Sequence, residues 1–136
     1  MKKIILGVLV SISSLMANSI DVEITNILNK NGDVKIGLYN KAKDFSKVDK
    51  VYKNIAIKIG SKTVKYKFIN IPNGTYAIAI FHDENQNGKI DKNFLGIPKE
   101  GYGFSNNIRP AFRSANFEES KFELNKNKIL SIEMGY

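Results

Sequence analysis

The stretch GTYAIAIFHDENQNGKIDKNFLGIPKEGYG, residues 74–103, decides how the rest of the chain is read. From Thr75 to His82 it alternates with period two. Tyr76, Ile78, Ile80 and His82 fall on one side, and Ala77, Ala79 and Phe81 on the other. Both sides are apolar, which predicts a strand covered on both faces and central in its sheet. The strand then runs directly into Asp83-Glu84-Asn85-Gln86-Asn87-Gly88-Lys89-Ile90-Asp91.

Oxygen-bearing side chains at every second position, with glycine at the sixth, have the spacing of a calcium loop. Asp83, Asn85 and Asn87 take the first, third and fifth positions. Gly88 permits the sharp turn, the carbonyl of Lys89 stands seventh, Ile90 is expected to pin the loop to the core, and Asp91 is ninth. The twelfth position is Phe94, where a helix-flanked calcium hand carries a bidentate Glu, and the flanks read as strands. Glu100, the nearest downstream acid, is therefore added to the expected ligands, with Glu84 a weaker candidate. So few carboxylates predict calcium affinity near the weak extracellular range, roughly 10⁻⁴–10⁻³ M. The competing reading is a polar turn, since Asn-Gly and Asp are turn formers without any metal.

Period-two alternation recurs outward from this segment. Ile20, Val22 and Ile24 share a face opposite Asp21, Glu23 and Thr25; Val34, Ile36 and Leu38 repeat the pattern after Asn31-Gly32, a strong hairpin signal. Ile55, Ile57 and Ile59, then Val64, Tyr66 and Phe68, give two more strands, the second closed by Pro72-Asn73-Gly74. Leu130, Ile132 and Met134 form a last one. Residues 41–50 are charged and lack a period, so they read as a surface connection with room for one helical turn. Residues 101–116 form a long Gly- and Asn-rich connection, and Asn116 with Glu119 has the spacing of a helix capping box. Seven or eight short strands with turns between them predict an all-β chain, an antiparallel β-sandwich of about seven strands, Ig-like in style.

The chain begins MKKIILGVLVSISSLMANS: a basic Lys2-Lys3 pair, an apolar run from Ile4, and a small residue at Ala17. This predicts a secretory signal peptide over 1–17 and one domain over 18–136, periplasmic or secreted. The apolar run is short of the roughly 20 residues of a membrane span, so no stable membrane insertion is expected after cleavage. The 136 residues include no cysteine, which excludes disulfides and an N-terminal-Cys lipid anchor. Without Lys2 and Lys3, 19 basic residues stand against 13 acidic ones, a net +6. The lysines are scattered, without the aromatic-interleaved stripe of a nucleic-acid surface, so no nucleic acid is expected.

Other candidate residues carry blander readings beside the sharper ones. His82 adjoins Asp83 and could be a ligand or general base, but it shares a face with Ile78 and Ile80 and reads as a hydrogen-bonded histidine at the core edge. Ser105 with His82 and Asp83 has the residue types of a nucleophile triad without a strand-turn-helix elbow. Tyr102, Phe104 and Phe112 could form an aromatic ligand platform or plug the end of the sandwich.

The run FHDENQNGKIDKNFLGIPKEGYGFSNN (81–107), with GTYAIAIFHD before it and PAFRSANFEESKFEL (110–124) after it, resembles the family called domain of unknown function 2141, small secreted bacterial proteins. Asp83, Asn85, Asn87, Gly88, Asp91 and Glu100 match its pattern position by position; Arg113-Ser114-Ala115-Asn116 departs from an expected Gly/Pro-richer stretch. The resemblance implies a β-sandwich in the style of transthyretin-like or carboxypeptidase-regulatory modules, and no established activity. The resulting expectation is an exported, non-enzymatic module whose loop-bound calcium rigidifies residues 83–104 to present a surface to a protein or glycan ligand. The alternative is a small metal-dependent hydrolase using His82, Asp83 and Glu100 around a transition metal.

Overall fold

A computed structural model describes residues 17–136, so most of the expected leader (1–17) lies outside the described residues; Ala17 itself opens the first strand. The order is β1 (Ala17–Thr25), β2 (Asp33–Tyr39), β3 (Lys53–Lys58), β4 (Val64–Pro72), β5 (Gly74–Asp83), β6 (Tyr102–Phe104), a one-turn helix α1 (Phe117–Ser120), β7 (Phe122–Leu124) and β8 (Lys128–Glu133). One sheet runs β4-β1-β8; the other runs β3-β2-β5-β6, with β7 pairing β5 as well. The fold is the expected all-β sandwich. One pair departs from antiparallel order, because β8 lies parallel to β1, Ile20 beside Lys128 through Thr25 beside Glu133.

The inward faces are those set by alternation. Ile20, Val22, Ile24 and Ile132 of one sheet are buried against Val34, Ile36, Leu38, Ile78 and Ile80 of the other. At roughly 1.5–3 kcal/mol per fully buried aliphatic side chain, this layer is the main stabilising term. β5 is central as predicted, with β2 on one side and β6 and β7 on the other. In β4 the alternation slips: Asn70 adopts φ 56°, a β-bulge falls in the pairing with β1, and burial moves from Phe68 to Ile71.

Asn31-Gly32 does not close a hairpin. β1 and β2 belong to different sheets, so the turn carries the chain across the sandwich. Gly32 sits at φ 67°, and a Cβ there would stand 1.9 Å from the carbonyl oxygen of Asp83. Only glycine fits a backbone this close to the end of β5.

The outer face of the larger sheet carries a second apolar cluster. Phe45, in the segment read as a charged connection, is buried between Tyr39, Phe104 and Phe117, with ring centroids 5.4, 5.8 and 6.0 Å away. Residues 41–50 supply two short 3-10 turns, Ala42–Asp44 and Val48–Lys50, that hold Phe45 over this face. The predicted capping box is present: Asn116 accepts the Glu119 N–H at 2.9 Å and Glu119 accepts the Asn116 N–H at 3.2 Å. Arg113 grips the same Glu119 through both terminal guanidinium nitrogens.

Candidate metal centre

Asp83 closes β5 and is fully buried, held there by the β2 pairing of Asp33 with Asp83. Its Oδ1 accepts the Asn87 N–H at 3.2 Å and its Oδ2 the Gly88 N–H at 2.9 Å. The loop therefore folds back over the first residue of the expected ligand set. Gly88 stands at φ 80° and Gln86 at φ 56°, which gives the tight curl. Asn85 Oδ1 accepts the Asn87 N–H at 3.3 Å, and Asn87 Oδ1 accepts the Lys89 N–H at 3.1 Å, two successive Asx turns.

Asp91 is the convergence point. Its Oδ1 accepts the Asn87 side-chain amide at 2.7 Å and its Oδ2 accepts that of Asn85. The first, third, fifth and ninth positions of the loop are thus joined through direct hydrogen bonds, beyond what a two-residue turn requires. Ile90 does not enter either buried cluster; it is half-buried on the side of the loop that faces the outer surface of the larger sheet. Phe94, at the twelfth position, is 95% exposed.

Glu100 meets the loop as expected but does so through backbone. Its Oε2 accepts the Glu84 N–H at 2.7 Å and its Oε1 the Asp91 N–H at 2.8 Å, and the side chain is buried. It clamps both ends of the loop at once. A carboxylate has about four acceptor positions, so two remain. Lys35, which the sequence reading passed over, brings its ammonium to 4.0 Å from Asp83 Oδ2 and to 4.0 Å from Asp33. Its position two residues after Asp33, on the strand paired with β5, is the signal that could have found it.

His82 is wholly buried, and both ring nitrogens are engaged. Nε2 lies 2.6 Å from the carbonyl oxygen of Asn31, which only accepts, so Nε2 carries the proton and donates. Nδ1 lies 2.7 Å from the Tyr136 hydroxyl, which accepts the Leu28 N–H at 3.0 Å and donates to the ring. Burial, more than the nearby Glu84 charge, pushes the Tyr136 phenol above its ordinary pKa, while the Leu28 N–H pulls it down. His82 thereby ties the Asn31-Gly32 crossing to the last residue of the chain, as the blander reading held.

The other candidates are absorbed into the scaffold. Ser105 Oγ accepts the Ile78 N–H at 2.9 Å and donates to the Ser120 carbonyl oxygen, taking over where β6 ends. In Gly101-Tyr102-Gly103-Phe104-Ser105-Asn106-Asn107 each residue has a structural task. A Cβ on Gly101 would strike the Tyr136 ring, and one on Gly103 would lie 2.7 Å from the Glu133 carbonyl oxygen. Asn106 and Asn107 both take positive φ; Asn106 donates to the Glu119 and Lys121 carbonyls, and Asn107 accepts the Glu133 N–H at 2.9 Å. Tyr102, Phe104 and Phe112 do not form one platform. Phe104 is buried, Tyr102 is covered by the Arg109 guanidinium at 4.0 Å, and Phe112 is fully exposed.

Among the described residues no group of three or more His, Cys, Asp or Glu side chains has the arrangement of a metal cluster, and no helix is long and apolar enough to cross a membrane. The ligands expected from the loop, two Asp, two Asn and a carbonyl, are all oxygen, the kind of set hard cations take; the Asn85 and Asn87 oxygens accept backbone N–H groups and their amide nitrogens face Asp91. No curated protein and no solved structure matches the chain. The model of a family described as "uncharacterized protein conserved in bacteria" (DUF2141) matches residues 22–132, and the chain belongs to that family.

Proposed function

We propose that the protein is an exported, non-enzymatic β-sandwich module in which residues 83–91 bind calcium, and that the ion stiffens the segment up to residue 104 for contact with a protein or glycan ligand. The observation that carries this reading is the meeting of Asn85 and Asn87 at the carboxylate of Asp91, above the buried carboxylate of Asp83. Calcium would exchange those amide contacts for oxygen ones, with Asp83, Asn85, Asn87, the Lys89 carbonyl and Asp91 as donors and Glu100 holding the loop ends. Export is supported by the leader-like run at residues 1–17, and the destination is the periplasm or the cell exterior, where millimolar calcium would suit a weak site.

Calorimetric titration of the purified protein with calcium should show one site that is lost in Asp83→Ala combined with Asp91→Ala. At tenfold Kd, calcium should stabilise the fold by about 1.4 kcal/mol, a melting rise of roughly 5 °C for a domain of this size. An unchanged melting temperature in saturating calcium overturns the reading. Metal analysis of protein prepared without chelator separates the hydrolase alternative: zinc or iron bound through His82 would require one of its nitrogens to leave Asn31 or Tyr136.

A further inference from the structure

Four of the large apolar side chains that the structure leaves exposed cluster on two loops, 94–97 and 110–113: Phe94, Leu95, Ile97 and Phe112, between 55% and 101% exposed. Exposed apolar side chains gathered in one place mark a contact site more often than scattered ones do. Three of the four line a groove of about 690 Å³ on the outer face of the larger sheet. The floor is made of small residues, Gly37, Ala56 and Ala79, and the walls of Val51, Ile90 and Ile97. This volume lies within the roughly 300–1,000 Å³ of small-molecule sites.

The charged residues that line this apolar trough have one sign. Lys35, Lys92 and Arg113 line it, and no Asp or Glu does. Lys35 is drawn to Asp33 and Asp83, and Arg113 to Glu119, but Lys92 makes no ion pair among the described residues. An apolar channel with an uncompensated ammonium at its edge is complementary to a ligand with an apolar body and one negative head. A neutral glycan would leave the walls unmatched, and a cationic ligand would meet repulsion.

We propose that this groove binds a monomeric single-chain anionic amphiphile, a carboxylate-headed acyl chain, with the head at Lys92 and the tail between the 94–97 and 110–113 loops. The proposal goes beyond the reading above, with an acyl chain in place of a protein or glycan, and the two meet only where Gly88, Ile90 and Lys92 of the 83–104 segment line the groove.

The test uses a dansylated fatty acid as fluorescent probe, displaced by dodecanoate or dodecyltrimethylammonium below their micellar concentrations, or by dodecanol below its solubility limit. Saturable one-to-one binding is expected, with dodecanoate at least tenfold tighter than the alcohol and the cation weakest. Lys92→Glu should weaken dodecanoate at least tenfold, Phe112→Asp should weaken both dodecanoate and dodecanol, and Lys65→Glu, on the other sheet, should change neither. Equal affinity for acid and alcohol, no saturation, or an equal loss in Lys65→Glu overturns the proposal. So does cosedimentation with anionic phospholipid vesicles in the absence of monomer binding. Dodecanoate binding that persists in Asp83→Ala with Asp91→Ala supports the groove and shows that it does not need the ion. Calcium binding by calorimetry without dodecanoate binding overturns the groove and leaves the ion standing.

Discussion

Glu100 accepts the backbone N–H of Asp91 at 2.8 Å across nine residues of sequence, while its other oxygen holds the N–H of Glu84. One buried carboxylate thus sets the distance between the two ends of the loop. In Glu100→Gln the amide oxygen can accept only one of these groups, and the NH₂ faces the other donor. An unsatisfied buried donor costs about 1–3 kcal/mol. The expected result is faster native-state hydrogen exchange at Glu84 and Asp91 than at the β5 core amides, with weaker calcium binding. Unchanged exchange at these two amides would show that the clamp does not hold the loop.

Lys35 offers a sharper discrimination between a cation site and a polar turn. Its ammonium lies 4.0 Å from Asp83 Oδ2 and would repel an ion bound there. At a separation of roughly 5 Å in a water-like dielectric, a single charge and a divalent ion repel by about 1.7 kcal/mol. Lys35→Met should therefore tighten calcium binding by roughly tenfold, even if it lowers the stability of the ion-free protein by leaving Asp83 with one fewer counter-charge. If Asp83 is only a turn residue, the variant should lose stability with and without calcium by the same amount. A calcium titration of both proteins reads this directly.

Gly32 is the residue least able to change. Its φ of 67° is unfavourable for any side chain, and the space a Cβ needs is taken by backbone oxygens of Asp83 and Glu84. Backbone cannot swing aside as a long side chain could. Gly32→Ala should destabilise by at least about 3 kcal/mol, by strain and by separating the β1–β2 crossing from the loop. Denaturant unfolding measures the loss; a midpoint within error of wild type would contradict the packing described.

Much of this architecture was legible because alternation writes burial directly into sequence. Tyr76, Ile78, Ile80 and His82 lie inward because the two-residue period leaves them no other face, and the apolar opposite side correctly placed β5 at the centre of its sheet. Pairing was less legible. Asn31-Gly32 has the composition of a hairpin, but the composition of a turn says nothing of which sheet receives the next strand. The parallel partnership of β1 with β8 joins residues more than a hundred positions apart and leaves no local mark. Phe45 was hidden among charges because a single buried residue has no period. For the candidate site, the spacing singled out Asp83, Asn85, Asn87 and Asp91 as one loop, but not that the Asn85 and Asn87 amide nitrogens would turn to Asp91. The engagement of Glu100 by backbone amides, and the presence of Lys35, depend on tertiary distances that spacing does not encode.

Tyr39 gives a pH test of the outer cluster. Its hydroxyl donates to the Lys47 carbonyl at 3.2 Å beneath the 42–50 segment, and burial, with a smaller contribution from the Asp49 charge, pushes its pKa from 10.0 up to about 12. Between those values the folded chain keeps a proton that the unfolded chain has released. The stabilisation is therefore complete below about pH 10 and is lost as pH rises toward about 12. Allowing for solvent screening, the loss is on the order of 1–2 kcal/mol. Tyr39→Phe should cost about 1 kcal/mol at neutral pH through the missing hydrogen bond to Lys47. It should also unfold less steeply with alkali, so that its denaturation midpoint approaches that of wild type near pH 11. Parallel curves for the two proteins from pH 8 to 11.5 would mean that the hydroxyl is open to water and that the 42–50 segment does not seal this face.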